Sequence, residues 1–168
     1  IVAGFKNISL SNYQNAFLSK INNAGDTLWT KTYLLGDNSR ISSVFEKSNG
    51  NFVFAGYTQE ELSNYTYCRD LLLAETDHQG NIIWVKTYDS NCDAEANSIE
   101  EAHNGGFIVC GVKNVEEKIW VLRTNNFGDT LWTRTFGNPY GFGISAKKTL
   151  DGGYIISGPA YQNSFSAS

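Results

Sequence analysis

Methionine is absent from this 168-residue chain, and proline and histidine occur only twice each. The histidines, His78 and His103, fall in turn-like segments where other parts of the chain carry Asn23 and Asn126, or Ser48 and Leu150. No metal-ligand histidine spacing, nucleophile elbow or phosphate loop is formed, so the usual catalytic signatures are missing. Basic runs are missing too. Thirteen Lys and Arg stand against seventeen Asp and Glu, for a net charge of −4, which leaves no footprint for nucleic acid or an anionic membrane surface. No run approaches the roughly 20 apolar residues of a spanning helix. No segment sustains a 3.6-residue apolar period, which excludes a helical fold. The two prolines, Pro139 and Pro159, read as turn residues.

What the chain does have is repetition. Residues 25–33 (GDTLWTKTY), 80–88 (GNIIWVKTY) and 128–136 (GDTLWTRTF) are three versions of one string. A second string interleaves with it, at 50–56 (GNFVFAG), 105–111 (GGFIVCG) and 152–158 (GGYIISG), and residues 1–4 (IVAG) are its truncated first copy. Its closing glycines, Gly4, Gly56, Gly111 and Gly158, are separated by 52, 55 and 47 residues. A period near 50 residues makes each copy one supersecondary unit that stacks on its neighbours.

Two further segments per unit are rich in β-branched and large apolar residues, giving four strands: A (near 41–47, 97–103, 143–149), B (the glycine-bounded string), C (near 16–21, 71–76, 119–124) and D (the Trp string). Asn-Gly or Asp-Gly at the A-to-B links (49–50, 104–105, 151–152) predicts tight hairpins with positive φ at both positions. The C-to-D links place Asn22, Asp77 and Asn125 three residues before a glycine, which predicts short turns closed by a left-handed residue. Strand B is apolar on successive residues, as in a strand covered on both faces. The expected fold is all-β, a β-propeller-like array of four-stranded antiparallel blades. It forms one repeat domain over 1–168, with partial unit 1 at 1–33, unit 2 at 41–88, unit 3 at 97–136 and partial unit 4 at 143–168. These three and a quarter units are fewer than the roughly four to eight blades of a ring. The chain is therefore expected to be a piece of a longer polypeptide, partnered by further blades or by another copy of itself.

The strings DGGYIISG (151–158), WVLRTN (120–125) and GDTLWTRTF resemble the propeller-like repeats of secreted Bacteroidota proteins over nearly the whole chain. That resemblance implies an exported or cell-surface protein, often larger than this chain and often ending in a type IX secretion sorting domain. It implies no particular activity.

Trp29, Trp84 and Trp132 recur in every unit and so serve what every unit shares, the packing between blades; Trp120, with Phe17 and Leu72 at its equivalent positions, reads as core as well. The turn pairs Asn22/Asp26, Asp77/Asn81 and Asn125/Asp129 hold at most one carboxylate each, against the six to eight oxygens calcium takes. No metal or other cofactor is expected. The Glu pairs 60/61, 100/101 and 116/117 are neighbours, which on a strand point to opposite faces. Of three cysteines, Cys110 replaces Ala55 and Ser157 in strand B and reads as a small core residue. Cys68 and Cys92 flank the C–D hairpin of unit 2 one diagonal step apart, within reach of a disulfide.

Spacing locates the variable part of the repeat. From each Trp to the following glycine there are 27, 27 and 26 residues, whereas from each glycine to the next Trp there are 25, 28 and 21. The variation falls in the B-to-C link, which reads as a loop that always opens on one face of the array. Residues 10–13 and 62–65 there share the string LSNY. Asn12, Tyr13, Tyr57, Asn64, Tyr65 and Tyr67 are the candidate ligand residues, a set suited to carbohydrate or protein. The expected function is a non-catalytic extracellular or cell-surface binding or scaffolding module. The alternatives are a fragment of a propeller enzyme acting on polysaccharide and a structural spacer array.

Overall fold

A computed structural model describes residues 1–7, 13–63, 66–88, 94–113, 118–137, 140–141 and 143–161. The first unit supplies β1 (Val2–Asn7), β2 (Gln14–Ile21) and β3 (Thr27–Tyr33) as a three-stranded sheet in that order. In the second unit β4 (Asn38–Glu46), β5 (Phe52–Ser63), β6 (Thr66–Thr76) and β7 (Ile82–Tyr88) form a four-stranded meander. The third unit repeats it with β8 (Ala94–Glu101), β9 (Phe107–Lys113), β10 (Lys118–Thr124) and β11 (Thr130–Phe136). A last pair of strands is each broken in two. β12 (Tyr140–Gly141) and β13 (Ser145–Lys148) take the A position, and β14 (Tyr154–Ser157) and β15 (Ala160–Tyr161) the B position. All pairings are antiparallel. The fold is the all-β, propeller-like array of blades expected from the repeat, and its described sheets do not close into a ring. Pro159 lies in the break between β14 and β15 rather than in a turn. Edge strands tolerate proline because a missing N–H there interrupts no inner ladder.

The continuous apolar runs are explained by strands covered on both faces. Along β5, Phe52 and Phe54 pack toward unit 1 with Leu18 and Tyr33, while Val53 and Ala55 pack toward unit 3 with Phe107 and Val109. In unit 3 the alternation repeats: Val109 and Leu122 face unit 2, while Ile108, Cys110 and Val121 face Ala146, Tyr154 and Ile156 of unit 4. Period-two side-chain alternation thus puts each sheet between two apolar layers.

Turns follow one design. At residues 22–26, 47–51, 77–81, 125–129 and 149–153 the first residue's N–H donates to the fifth residue's C=O, and the fourth residue's N–H donates back to the first residue's C=O. Each fourth residue is a glycine at φ between 79° and 89°. These are three-residue loops with a left-handed glycine. The A-to-B links are therefore one residue longer than a two-residue Asn-Gly turn, and both members have positive φ only at Asn104-Gly105.

Strand D supplies a latch between blades. Trp29, Lys31 and Tyr33 alternate along β3 and face unit 2. The Trp29 ring meets Phe52 edge-on at 5.8 Å, Lys31 Nζ donates to Asn81 Oδ1 at 3.1 Å, and Tyr33 Oη donates to Gly80 O at 2.9 Å. β7 repeats this on unit 3, with Trp84 against Phe107, Lys86 paired with Asp129, and Tyr88 Oη donating to Gly128 O. A Cβ on Gly80 would meet Lys31 Cγ at 2.9 Å and Trp29 Cζ3 at 3.0 Å, so glycine is required for approach as well as for φ. Nearer the inner edge, Ser43 Oγ accepts from Ile99 N (3.2 Å), and the equivalent Ser98 Oγ accepts from Ala146 N (3.3 Å).

Burial first, and Asp77 or Asp129 second, push the Tyr33 and Tyr88 phenols well above their ordinary range. A phenol whose folded pKa is raised contributes stability that is complete below its unfolded pKa, about 10, and lost as pH rises toward the folded value. Tyr33→Phe and Tyr88→Phe are each expected to cost about 1 kcal/mol at neutral pH. Denaturant titrations at pH 8 and 11 should show the double variant losing less stability on alkalinisation than the parent.

Candidate functional site: a cleft at the inner strand edges

An open cleft of about 880 Å³ lies where the inner edges of the units meet. Its walls come from equivalent positions. Phe5, Tyr57 and Val112 each follow the closing glycine of strand B, and Arg40 and Glu95 pair with Tyr57 and Val112 from strand A. Phe17, Asn97 and Ile144 contribute further wall. The geometry is fixed by the glycines. A Cβ on Gly56 would lie 1.9 Å from Arg40 O, and one on Gly111 would lie 1.9 Å from Glu95 O. Next to both contacts strand A carries a register shift, at Ile41/Ser43 and at Ala96/Ser98. Such a bulge re-aims the side chains beside it.

The charges in the cleft are held by aromatic and ionic neighbours. The Arg40 guanidinium lies 5.5 Å from the Phe5 ring centroid, and that of Arg69 lies 4.8 Å from the Tyr57 centroid. Arg69 Nη1 is 3.5 Å from Glu95 Oε2, and Arg69 Nε donates to Gln59 Oε1 at 3.0 Å. Asn97 Nδ2 donates to Gly143 O at 3.0 Å, which ties part of its amide to the next unit. The result is one wall with a cation, one with an anion, and aromatic surface between them.

Of the residues singled out from the sequence, Tyr57 lines this cleft but is only 9% exposed, its ring covered by Arg69. Tyr13 and Tyr67 are exposed and stand outside the cleft. Asn12, Asn64 and Tyr65 lie outside the described residues. The B-to-C segment of unit 2, expected as a loop, is instead mostly strand: β5 and β6 run on as a hairpin, pairing Thr58 with Asp70, Glu60 with Cys68 and Ser63 with Thr66. Arg40 and Glu95 were not among the sequence candidates. Their signal was available in strand A, as opposite charges at one repeat position.

Cys68 is disulfide-bonded, Cys110 is free and buried, and Cys92 lies outside the described residues. Burial pushes the Cys110 thiol up to about 11, which keeps it un-ionised at neutral pH. Non-reducing peptide mapping is expected to recover Cys68 linked to Cys92. A maleimide at pH 7.5 should label Cys110 only after denaturation.

The turn carboxylates are occupied by turn chemistry. Asn22 Nδ2 donates to Asp26 Oδ2, Asn81 Nδ2 to Asp77 Oδ2, and Asn125 Nδ2 to Asp129 Oδ2, at 2.8–3.0 Å. Unit 2 swaps the order of acid and amide yet keeps the pair. The Asn81 side chain holds the Asp77 carboxyl below its usual range, and Lys86 followed by Asn125 does the same for Asp129.

Compared with known proteins, the chain matches no family model and no curated protein.

Proposed function

We propose that this chain is a non-catalytic binding module whose ligand sits in the inner cleft, at the end of the blades where the B-to-C segments begin. One observation carries the proposal. The positions around the cleft are equivalent in the repeat but differ in chemistry: Phe5, Tyr57 and Val112 in one set, Arg40 and Glu95 in the other. The blade contacts, by contrast, reuse the same Trp, Gly and turn residues. A position freed from packing that every unit shares is free to serve a ligand. Aromatic surface beside a guanidinium, a carboxylate and an amide suits a polar ligand with apolar faces, such as a carbohydrate or a protein segment. The repeat's likeness to secreted Bacteroidota proteins supports an extracellular or cell-surface setting.

A glycoside hydrolase of the usual kind flanks the scissile bond with two carboxylates. Glu95 is the one carboxylate among the described lining residues, and it is paired to Arg69. The test is a glycan array and an immobilised-chain pull-down run with the parent and with Arg40→Ala/Glu95→Ala. Binding by the parent and its loss in the variant supports the proposal. Equal binding by both would move the site elsewhere.

A further inference from the structure

We infer that the outer edge of β7 pairs antiparallel with β7 of a second copy of this chain, making a two-fold dimer through one continuous sheet. Strand D is the last strand of each blade, and β7 pairs only with β6 among the described residues. Its blade is the complete unit 2. Unit 1 grips that blade from one side through Tyr33 on Gly80 O, and unit 3 lies on the other side through Trp84 against Phe107. The free edge of β7 therefore belongs to the middle of the array. The side chains along it divide the work. Trp84, Lys86 and Tyr88 are committed to unit 3, while Val85 and Thr87 between them are exposed, as is Ile82 at the start of the strand.

What singles out β7 is its departure from the repeat. Where β3 has Thr27 and Thr30, and β11 has Thr130 and Thr133, all of them exposed, β7 has Ile82 and Val85 at 40% and 38% exposure. An open sheet edge with branched apolar side chains is what natural sheets avoid unless another strand covers it. Charge and symmetry identify that strand. Lys86 is the one charge on β7, and Asp129 of the same chain neutralises it, so a second copy meets no net charge there. On β3 the equivalent Lys31 bonds to the neutral Asn81, which leaves its charge to oppose its own copy. Antiparallel pairing about a two-fold axis is self-complementary. Centred on Val85, it sets that side chain against its own copy and Lys86 against Trp84 of the other chain, so β-branched groups meet and the two lysines do not face each other. A single strand pair buries less than the roughly 1,200 Å² of stable interfaces, so the dimer is weak and forms at high concentration.

The test follows sedimentation and amide hydrogen exchange of the full chain between about 10 µM and about 1 mM. The weight-average mass is expected to rise toward that of a dimer, with protection arising along Trp84–Tyr88 in step with it. Val85→Lys sets like charges opposite each other. It should weaken association at least about tenfold and remove that protection, with Tm within a few degrees of the parent. Thr30→Lys, at the equivalent place on β3, should leave both readouts unchanged. Association that survives Val85→Lys without protection on β7 would overturn the inference by placing the contact elsewhere on the array. A parent that stays monomeric throughout would also overturn it, and protection of its β7 by an added extended peptide of alternating Thr and Val would then assign the edge to a foreign strand.

Discussion

Alanine at Gly111 is expected to destabilise the protein by about 3 kcal/mol, lowering Tm by about 10 °C, while alanine at Gly4 costs under about 1 kcal/mol. The two glycines close the same string, so sequence alone gives no reason to separate them. The difference lies in what faces them. A Cβ at Gly111 would stand 1.9 Å from Glu95 O and 2.9 Å from Ala96 Cα, both backbone atoms of the bulged strand β8. Relief would require moving that strand, which also carries the inner serine contact of Ser98 to unit 4. At Gly4 the nearest atom is Phe17 Cε1 at 3.1 Å, part of a half-buried ring that can shift. Gly56, at 1.9 Å from Arg40 O, should behave like Gly111. Thermal denaturation of the three single variants checks the ordering; equal losses at Gly4 and Gly111 would contradict it.

Glu75→Ala is the second large effect, with an expected loss of 3–5 kcal/mol, the range for breaking a buried ion pair on one side. The Glu75 side chain is 7% exposed and accepts from Lys47 Nζ at 3.0 and 3.1 Å, Asn51 Nδ2 at 2.7 Å and Trp84 Nε1 at 3.1 Å. Removing it strands an ammonium that is itself only 17% exposed, along with an indole N–H. If the loss arises from that stranded charge, Lys47→Met in the Glu75→Leu background should recover most of it, because well-packed apolar replacements of buried ion pairs are often neutral. Urea denaturation of Glu75→Ala and of the double variant tests this. A double variant no more stable than the single one would place the effect in packing instead.

Glu75 also marks where the sequence stops being legible. Its repeat equivalents are Lys20 and Arg123, so the position reads as an ordinary surface charge. Yet each side chain folds over a strand end: Lys20 reaches Glu46 at 3.7 Å, and Arg123 donates to His103 O and Gly105 O. Their burial comes from the neighbouring turn and blade, which no local pattern encodes. Strand order, blade length and the double-faced burial of strand B were readable because glycine turns and period-two alternation are local signals. Tyr57 was readable as a member of the variable segment but not as a wall residue, since Arg69, twelve positions on, covers its ring. The B-to-C segment of unit 2 looked like a loop because Thr58, Gln59, Glu60 and Glu61 are polar. In the fold their backbones pair with Asp70, Arg69, Cys68 and Tyr67 as an extended hairpin.

Residues that repeat hold the blades together, while the equivalent residues that differ around the cleft are those proposed to meet a ligand. The measurement that tests this most directly pairs Tm with ligand binding for Arg40→Ala/Glu95→Ala. The account predicts a Tm within a few degrees of the parent and loss of the ligand that the parent captures. A large fall in Tm, or full retention of binding, would contradict it.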